Sequence, residues 1–139
     1  MKRRILASGV MILCVFVPLT LLSEEENEVR KGPVAKREVM VTIDYGDGAQ
    51  KRFPEIPWKK NMTAFDATQW AAKHPRGVTM ESQGKGSFTL VTKIDDLKNG
   101  GAAKKNWIFR VNDELGDKSC AVFSLQAGDR VLWSFEKYR

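Results

Sequence analysis

Histidine is almost missing from this chain: His74 is the only one in 139 residues. Zinc sites and Ser–His or Cys–His nucleophile systems lean on imidazole. A single imidazole just before Pro75 reads first as a helix-end residue, so the enzyme classes built on histidine are poorly supported. Cysteine is as scarce. Cys14 lies in an N-terminal apolar run, which leaves Cys120 alone beyond residue 23 and allows no internal disulfide there. The fold must be held by its core, which about 100 residues can supply with a modest margin. Cys120, within SCAVFSL, reads as a small buried hydrophobe, since a reactive thiol wants exposure and a basic neighbour.

A concentrated patch of one charge is also lacking. The net charge of +6 is partly a targeting signal. Lys2, Arg3 and Arg4 precede an uncharged, mostly apolar run from Ile5 to Leu22, then Ser23 and three glutamates. This is the layout of a secretory signal. Leu21 and Ser23 do not form an A-x-A cleavage pair, and about 18 apolar residues can just span a bilayer. A cleaved signal and an uncleaved signal-anchor therefore both stay open. Cys14 has no small residue beside it, which argues against lipid attachment. Without residues 1–23 there remain 20 basic and 17 acidic residues, a net of +3. The basic residues fall in scattered pairs such as Lys51-Arg52 and Lys104-Lys105, whereas nucleic-acid binding wants a stripe. The expectation is an extracytoplasmic protein, secreted or periplasmic, and a monomer. It binds no nucleic acid and meets membrane only through residues 5–22 if these are retained.

Three segments follow. Residues 1–23 are the signal peptide or anchor. Residues 24–37, EEENEVRKGPVAKR, carry charge without apolar periodicity and read as a flexible tether. Residues 38–139 form the folded domain. In EVMVTIDYGDG, Val39, Val41, Ile43 and Tyr45 alternate against Met40, Thr42 and Asp44, which predicts a half-buried strand and a turn. AQKRFPEI returns as a strand that Pro54 and Pro57 place at an edge. NMTAFDATQWAAKHP is the one good helix, with Thr63 as N-cap, Asp66 completing a capping box and Pro75 as the stop. GVTMES and SFTLVTKI flank Gln83–Gly86 as a hairpin, and DDLKNGGAAKK reads as a loop. NWIFRVN alternates with Trp107, Phe109 and Val111 on one face. SCAVFSL is read as a short irregular strand, and RVLWSFEKY as the last one. Strands, one helix, then more strands predict α+β, with a mixed, mostly antiparallel sheet and the helix packed on one face.

No motif carries chemistry. The acids Asp113, Glu114 and Asp117 fail the EF-hand spacing from either possible start and read as a turn. A carboxylate hydrolase built on them is the remote alternative. Gly84-Lys85-Gly86-Ser87 lacks the spacing and the following helix of a phosphate loop. Asn61-Met62-Thr63 is a glycosylation sequon whose threonine is better used as the helix cap. Among the four tryptophans, Trp70, Trp107 and Trp133 are expected in the core, and Trp58, after Pro57, is expected to be exposed.

The segments MTAFDATQWAA, KNWIFRVND and LQAGDRVLWSFEKY together resemble the transcobalamin-like C-terminal domain, a family of unknown function in bacterial exported proteins. The marks are Trp107 opening a strand that ends at Asn112, and Gly128-Asp129-x-Val131-x-Trp133 opening the last strand. The resemblance spans about residues 38–139 and implies a β-grasp-like fold related to soluble ligand-binding modules. In the vitamin carriers, such a domain closes over cobalamin against a helical domain that has no counterpart here. Asp113 stands where the family more often has glycine. The resemblance thus carries the fold, and a cobalamin-like small molecule is implied as ligand by family analogy alone.

The function expected is a non-catalytic binding or interaction module. It has no catalytic residues, no metal and no cofactor, and its partner is a small molecule, a glycan or an extracytoplasmic protein. The alternative is a membrane-anchored structural or interaction domain. The expected ligand surface is Trp58 with the outward residues Arg110 and Asn112.

Overall fold

The computed structural model describes residues 36–138, so the expectations for the signal and for most of the tether lie outside the described residues. The described part begins with β1 (Glu38–Asp44), β2 (Gln50–Pro57) and the helix α1 (Ala64–Lys73). Then come β3 (Met80–Gln83), β4 (Leu90–Ile94), β5 (Leu97–Lys98), β6 (Lys105–Val111), β7 (Glu114–Leu115) and β8 (Arg130–Lys137). They form a five-stranded sheet, ordered β2-β1-β8-β6-β7, and a separate three-stranded sheet, ordered β3-β4-β5. In the larger sheet β1 and β8 run parallel, and the other pairs are antiparallel.

The expected fold class is corrected by this. The described part is mostly β, 44% strand against 13% helix, and it holds two sheets where one was expected. The second sheet's β3–β4 pair is the expected hairpin, but its third strand and its separation from the larger sheet were hidden by composition. β3 is almost wholly exposed, and β5 is two residues long inside a polar, glycine-containing stretch, so neither shows a hydrophobic period. The connection in the predicted hairpin is longer than Gln83–Gly86, because a 3-10 turn at Gly86–Phe88 stands between β3 and β4.

Alternation held where one strand face is buried. Val39, Val41 and Ile43 on β1, Trp107 and Val111 on β6, and Val131 and Trp133 on β8 share one core. β2 is an edge strand. A bulge opposite Met40 gives it one extra residue, so Phe53 and Ile56, three apart, both turn inward. Trp58 N–H reaches Arg37 O, and Tyr45 N–H reaches Ala49 O, which fixes the ladder phase. Pro57 then falls on the outward side, where no donor is needed.

The helix buries Ala64, Ala67, Thr68 and Ala71, the i, i+3, i+4, i+7 stripe of small residues that lets it lie close to β1 and β2. The Thr63–Asp66 capping box is present in both directions. SCAVFSL is not a strand. Its carbonyls at Phe123 and Cys120 accept the N–H groups of Ala64 and Phe65 at 2.9 and 3.0 Å, satisfying donors that a helix start leaves open. Asn99 ties the sheets together: it donates to Val91 O at 3.0 Å and accepts Trp107 N–H at 2.8 Å.

Candidate functional site

The three sequence-chosen residues do not converge. Trp58 follows edge strand β2, whereas Arg110 sits on β6 and Asn112 just after it, with β1 and β8 between. Trp58 is half-buried against the core, and its indole N–H donates to Leu125 O at 2.8 Å, which corrects the expectation of exposure. Arg110 pairs with Glu136 at 2.6 Å across β6 and β8. Asn112 donates to Asp129 Oδ1 at 2.8 Å and accepts Arg130 N–H at 3.0 Å, so both ends of its amide are used in the turn. Asp113, Glu114 and Asp117 are all exposed, but only Asp113 lies in the tight turn after β6; Glu114 already returns on β7, opposite Val111.

A cleft of about 500 Å³ lies elsewhere, between β2 and the C-terminal part of α1, and its volume falls within the usual range for small-molecule sites. Its aromatic part is Phe53, His74 and Trp70. His74 meets Phe53 edge-on at 5.5 Å and Trp70 at 5.8 Å between ring centres. Trp70 is 38% exposed, against 4% for Trp107 and 2% for Trp133, which corrects its expected core position. The helical period explains this. Trp70 lies on the flank of the Ala64–Ala67–Thr68–Ala71 stripe and overhangs the edge strand. The period, given more weight than apolar character, would have placed it there.

Trp70 differs from the others in a second way. Trp58, Trp107 and Trp133 each donate their indole N–H to an interior acceptor: Leu125 O, Leu97 O and Thr68 Oγ1. Among the described residues Trp70 has no such partner. His74 Nδ1 accepts the N–H of Arg76 at 3.2 Å, which makes Nε2 the donor of the neutral ring. Lys51, Arg52 and Arg76 also line the cleft, with Glu55 as its one acid.

Behind the cleft, Lys51 Nζ lies 3.0 Å from Asp95, which also accepts from Tyr45 Oη at 2.5 Å and from Thr79 N–H at 2.8 Å. Burial raises the Asp95 carboxyl's affinity for its proton, but hydrogen bonds from Tyr45, Thr79 and Lys51 outweigh burial and hold its pKa below the ordinary value. Tyr45 is pushed up, first by burial and then by its bond to Asp95 and that group's charge. Burial pushes the Cys120 thiol up to about 11, consistent with its reading as a hydrophobe. Among the described residues no group of three or more His, Cys, Asp or Glu is placed to hold a metal ion, and no helix is long and apolar enough to cross a membrane.

Residues 61–137, more than half of the chain, match the model of the family described as Domain of unknown function (DUF4430), and the chain belongs to that family. A solved structure from Ruminococcus gnavus ATCC 29149, of a protein provisionally described as metal binding, is similar over 74% of this chain and 99% of its own. The two share 16% identity with a TM-score of 0.52, which shows a common fold. No curated protein matches the chain. The family match starts after β2, so Lys51, Arg52 and Phe53 lie outside it while Trp70, His74 and Arg76 lie within.

Proposed function

We propose that this chain is a non-catalytic binding module that works outside the cytoplasm and takes a small organic ligand in the cleft between α1 and β2. The observation that carries this reading is Trp70, the most exposed of the four tryptophans and the one whose N–H is not spent inside. A partly exposed indole tilted beside an imidazole gives a ligand a flat apolar surface next to polar ring atoms. The resemblance to transcobalamin-like C-terminal domains supports a binding role in general. A corrinoid macrocycle is far larger than the cleft, so that ligand is not adopted. Nor is the metal binding ascribed to the Ruminococcus gnavus protein, because the cleft brings together His74 and Glu55 with cations and no further metal-ligating side chain.

A small-molecule screen on the full-length chain tests this, read by thermal shift and by the indole N–H resonances of the four tryptophans. A ligand of this module moves the Trp70 resonance most, and Trp70→Ala removes its binding while Arg110→Ala leaves it unchanged. Ligands that bind equally well to the Trp70→Ala variant overturn the assignment.

A further inference from the structure

We infer that the open edge of β6 docks an extended, acidic peptide segment of a partner protein, at a second surface apart from the cleft between α1 and β2. Along β6, Asn106, Ile108 and Arg110 turn their backbone N–H and C=O groups to β8, because Asn112 N–H reaches Arg130 O and the ladder phase repeats every two residues. Lys105, Trp107, Phe109 and Val111 turn theirs the other way. Most of these groups are used. Lys105 O accepts Gly100 N–H, Trp107 N–H donates to Asn99, Phe109 O accepts Gly116 N–H, and Val111 pairs with Glu114. Trp107 O and Phe109 N–H have no partner among the described residues. The cause is Gly116, whose backbone lies so close on the Phe109 ring that a Cβ there would strike it. The chain leaves the ladder at that point, β7 ends after Leu115, and the edge beyond it stays open. Trp107 O and Phe109 N–H flank Ile108, the spacing that one residue of an added parallel strand satisfies with its own N–H and C=O.

The surroundings suit a strand with apolar side chains. The groove that Trp107, Ile108 and Phe109 line has a volume of about 270 Å³. That is below the roughly 300 Å³ at which small-molecule sites begin, and it suits single side chains. Phe88, Tyr138, Leu90 and Leu115 are the most exposed large apolar side chains among the described residues. The last three line this groove, and Phe88 stands two residues before Leu90. Charge then selects the kind of strand. Lys118, whose ammonium lies over the Phe123 ring, borders the groove, and a neighbouring cleft that shares the Leu115 and Tyr138 walls adds Lys105, Lys137 and Arg110. Arg110 is held by Glu136, the one acid in either lining. Lys105, Lys118 and Lys137 enter no ion pair among the described residues. Lys105 and Lys137 also face each other on the last rung of the β6–β8 ladder, where like charges repel. An acidic segment relieves that repulsion and a basic one adds to it.

The test uses the full-length chain and a synthetic peptide, Val-Ile-Val between two pairs of glutamates, read by amide resonances and fluorescence anisotropy. The expected result is saturable binding that shifts the Phe109 backbone N–H and leaves the Trp70 indole N–H in place, so this inference and the cleft reading fail separately. The same peptide N-methylated at its three apolar residues should not bind, since it has lost the donors that Trp107 O accepts. Exchanging its glutamates for lysines should weaken binding about tenfold or more, as should Lys105→Glu combined with Lys137→Glu. Leu90→Asp, at an exposed position, should weaken it to a similar degree with the thermal midpoint unchanged. A Phe109 N–H that saturating peptide does not move overturns the inference, as does full binding of the N-methylated peptide. Equal binding of the lysine peptide overturns the choice of charge. A Phe109 resonance that moves with protein concentration alone assigns the edge to a second copy of the chain. One that moves when residues 24–34 are deleted assigns it to the chain's own acidic segment, and either outcome overturns the partner.

Discussion

Trp133 donates its indole N–H to Thr68 Oγ1 at 2.8 Å, and Thr68 passes its own hydroxyl hydrogen to Ala64 O at 2.7 Å. Both side chains are buried, so this relay is the polar joint between the helix and the last strand. Thr68→Val keeps the shape and removes the acceptor, which leaves the Trp133 N–H unpaired in the core. The expected cost is about 1–3 kcal/mol, seen as a lower urea midpoint with an unchanged slope. Thr68→Ser keeps the oxygen and should lose less. Equal losses in the two variants would mean that the methyl packing, rather than the hydrogen bond, carries the joint.

Asp95 and Tyr45 predict stability that declines at both ends of the pH scale. The folded state lowers the Asp95 pKa, so its contribution is present above the unfolded value of 3.8 and is lost as pH falls through the folded one. The folded state raises the Tyr45 pKa, so its contribution is present below the unfolded value of 10.0 and is lost as pH rises toward the folded one. Asp95→Asn should flatten the acid limb of a plot of unfolding free energy against pH, and Tyr45→Phe the alkaline limb. Chemical denaturation at a series of pH values measures both. An acid limb that survives Asp95→Asn would assign it to other carboxylates.

Much of the larger sheet could be read in the sequence because β1, β6 and β8 each bury one face, so burial wrote a period of two into the residues. The helix was legible for the same kind of reason: Thr63, Asp66 and the alanine stripe are local signals. Of the second sheet the β3–β4 hairpin was legible from its two arms, but β5 and the separation from the larger sheet were not, since β3 and β5 bury almost nothing of their own. SCAVFSL misled because its apolar residues serve the core and its carbonyls serve the helix start, neither of which needs a ladder. The cleft was legible only in pieces. Lys51-Arg52-Phe53 and Trp70 to Arg76 lie apart in sequence, and only the packing of α1 beside β2 brings them together.

The turn after β6 carries a local conflict that a substitution can relieve. Asn112 and Asp113 have φ of +51° and +72°, the pair of positive angles that a two-residue type I′ hairpin turn demands. Asparagine tolerates this well and is held by Asp129 and Arg130. Aspartate at the second position tolerates it less well than glycine. Asp113→Gly should raise stability by up to about 1 kcal/mol. Its ion pair with Arg130 is largely exposed, so losing it costs little. Asn112→Ala should instead destabilise by about 1–2 kcal/mol, since it keeps the positive φ and loses both hydrogen bonds. Thermal denaturation of the two variants checks both signs, and a loss of stability in Asp113→Gly would show that the aspartate is held by more than the Arg130 pair.

Trp70 and Trp107 provide the comparison on which the binding reading stands or falls. Trp107 is 4% exposed, sits among Tyr45 and Phe135, and ties β6 to Leu97 through its indole, so Trp107→Ala opens a cavity and strands a carbonyl. That change should cost about 3–5 kcal/mol. Trp70 is 38% exposed, lies off the buried stripe and donates to no interior acceptor among the described residues. Trp70→Ala should cost about 1–2 kcal/mol, the loss of partial burial against His74 without a core cavity. Urea denaturation of the two variants side by side measures the gap. A large aromatic residue kept where it contributes little to folding is one that binding can account for. If Trp70→Ala instead costs as much as Trp107→Ala, the indole is a structural prop, and the cleft loses the observation that marks it as a site.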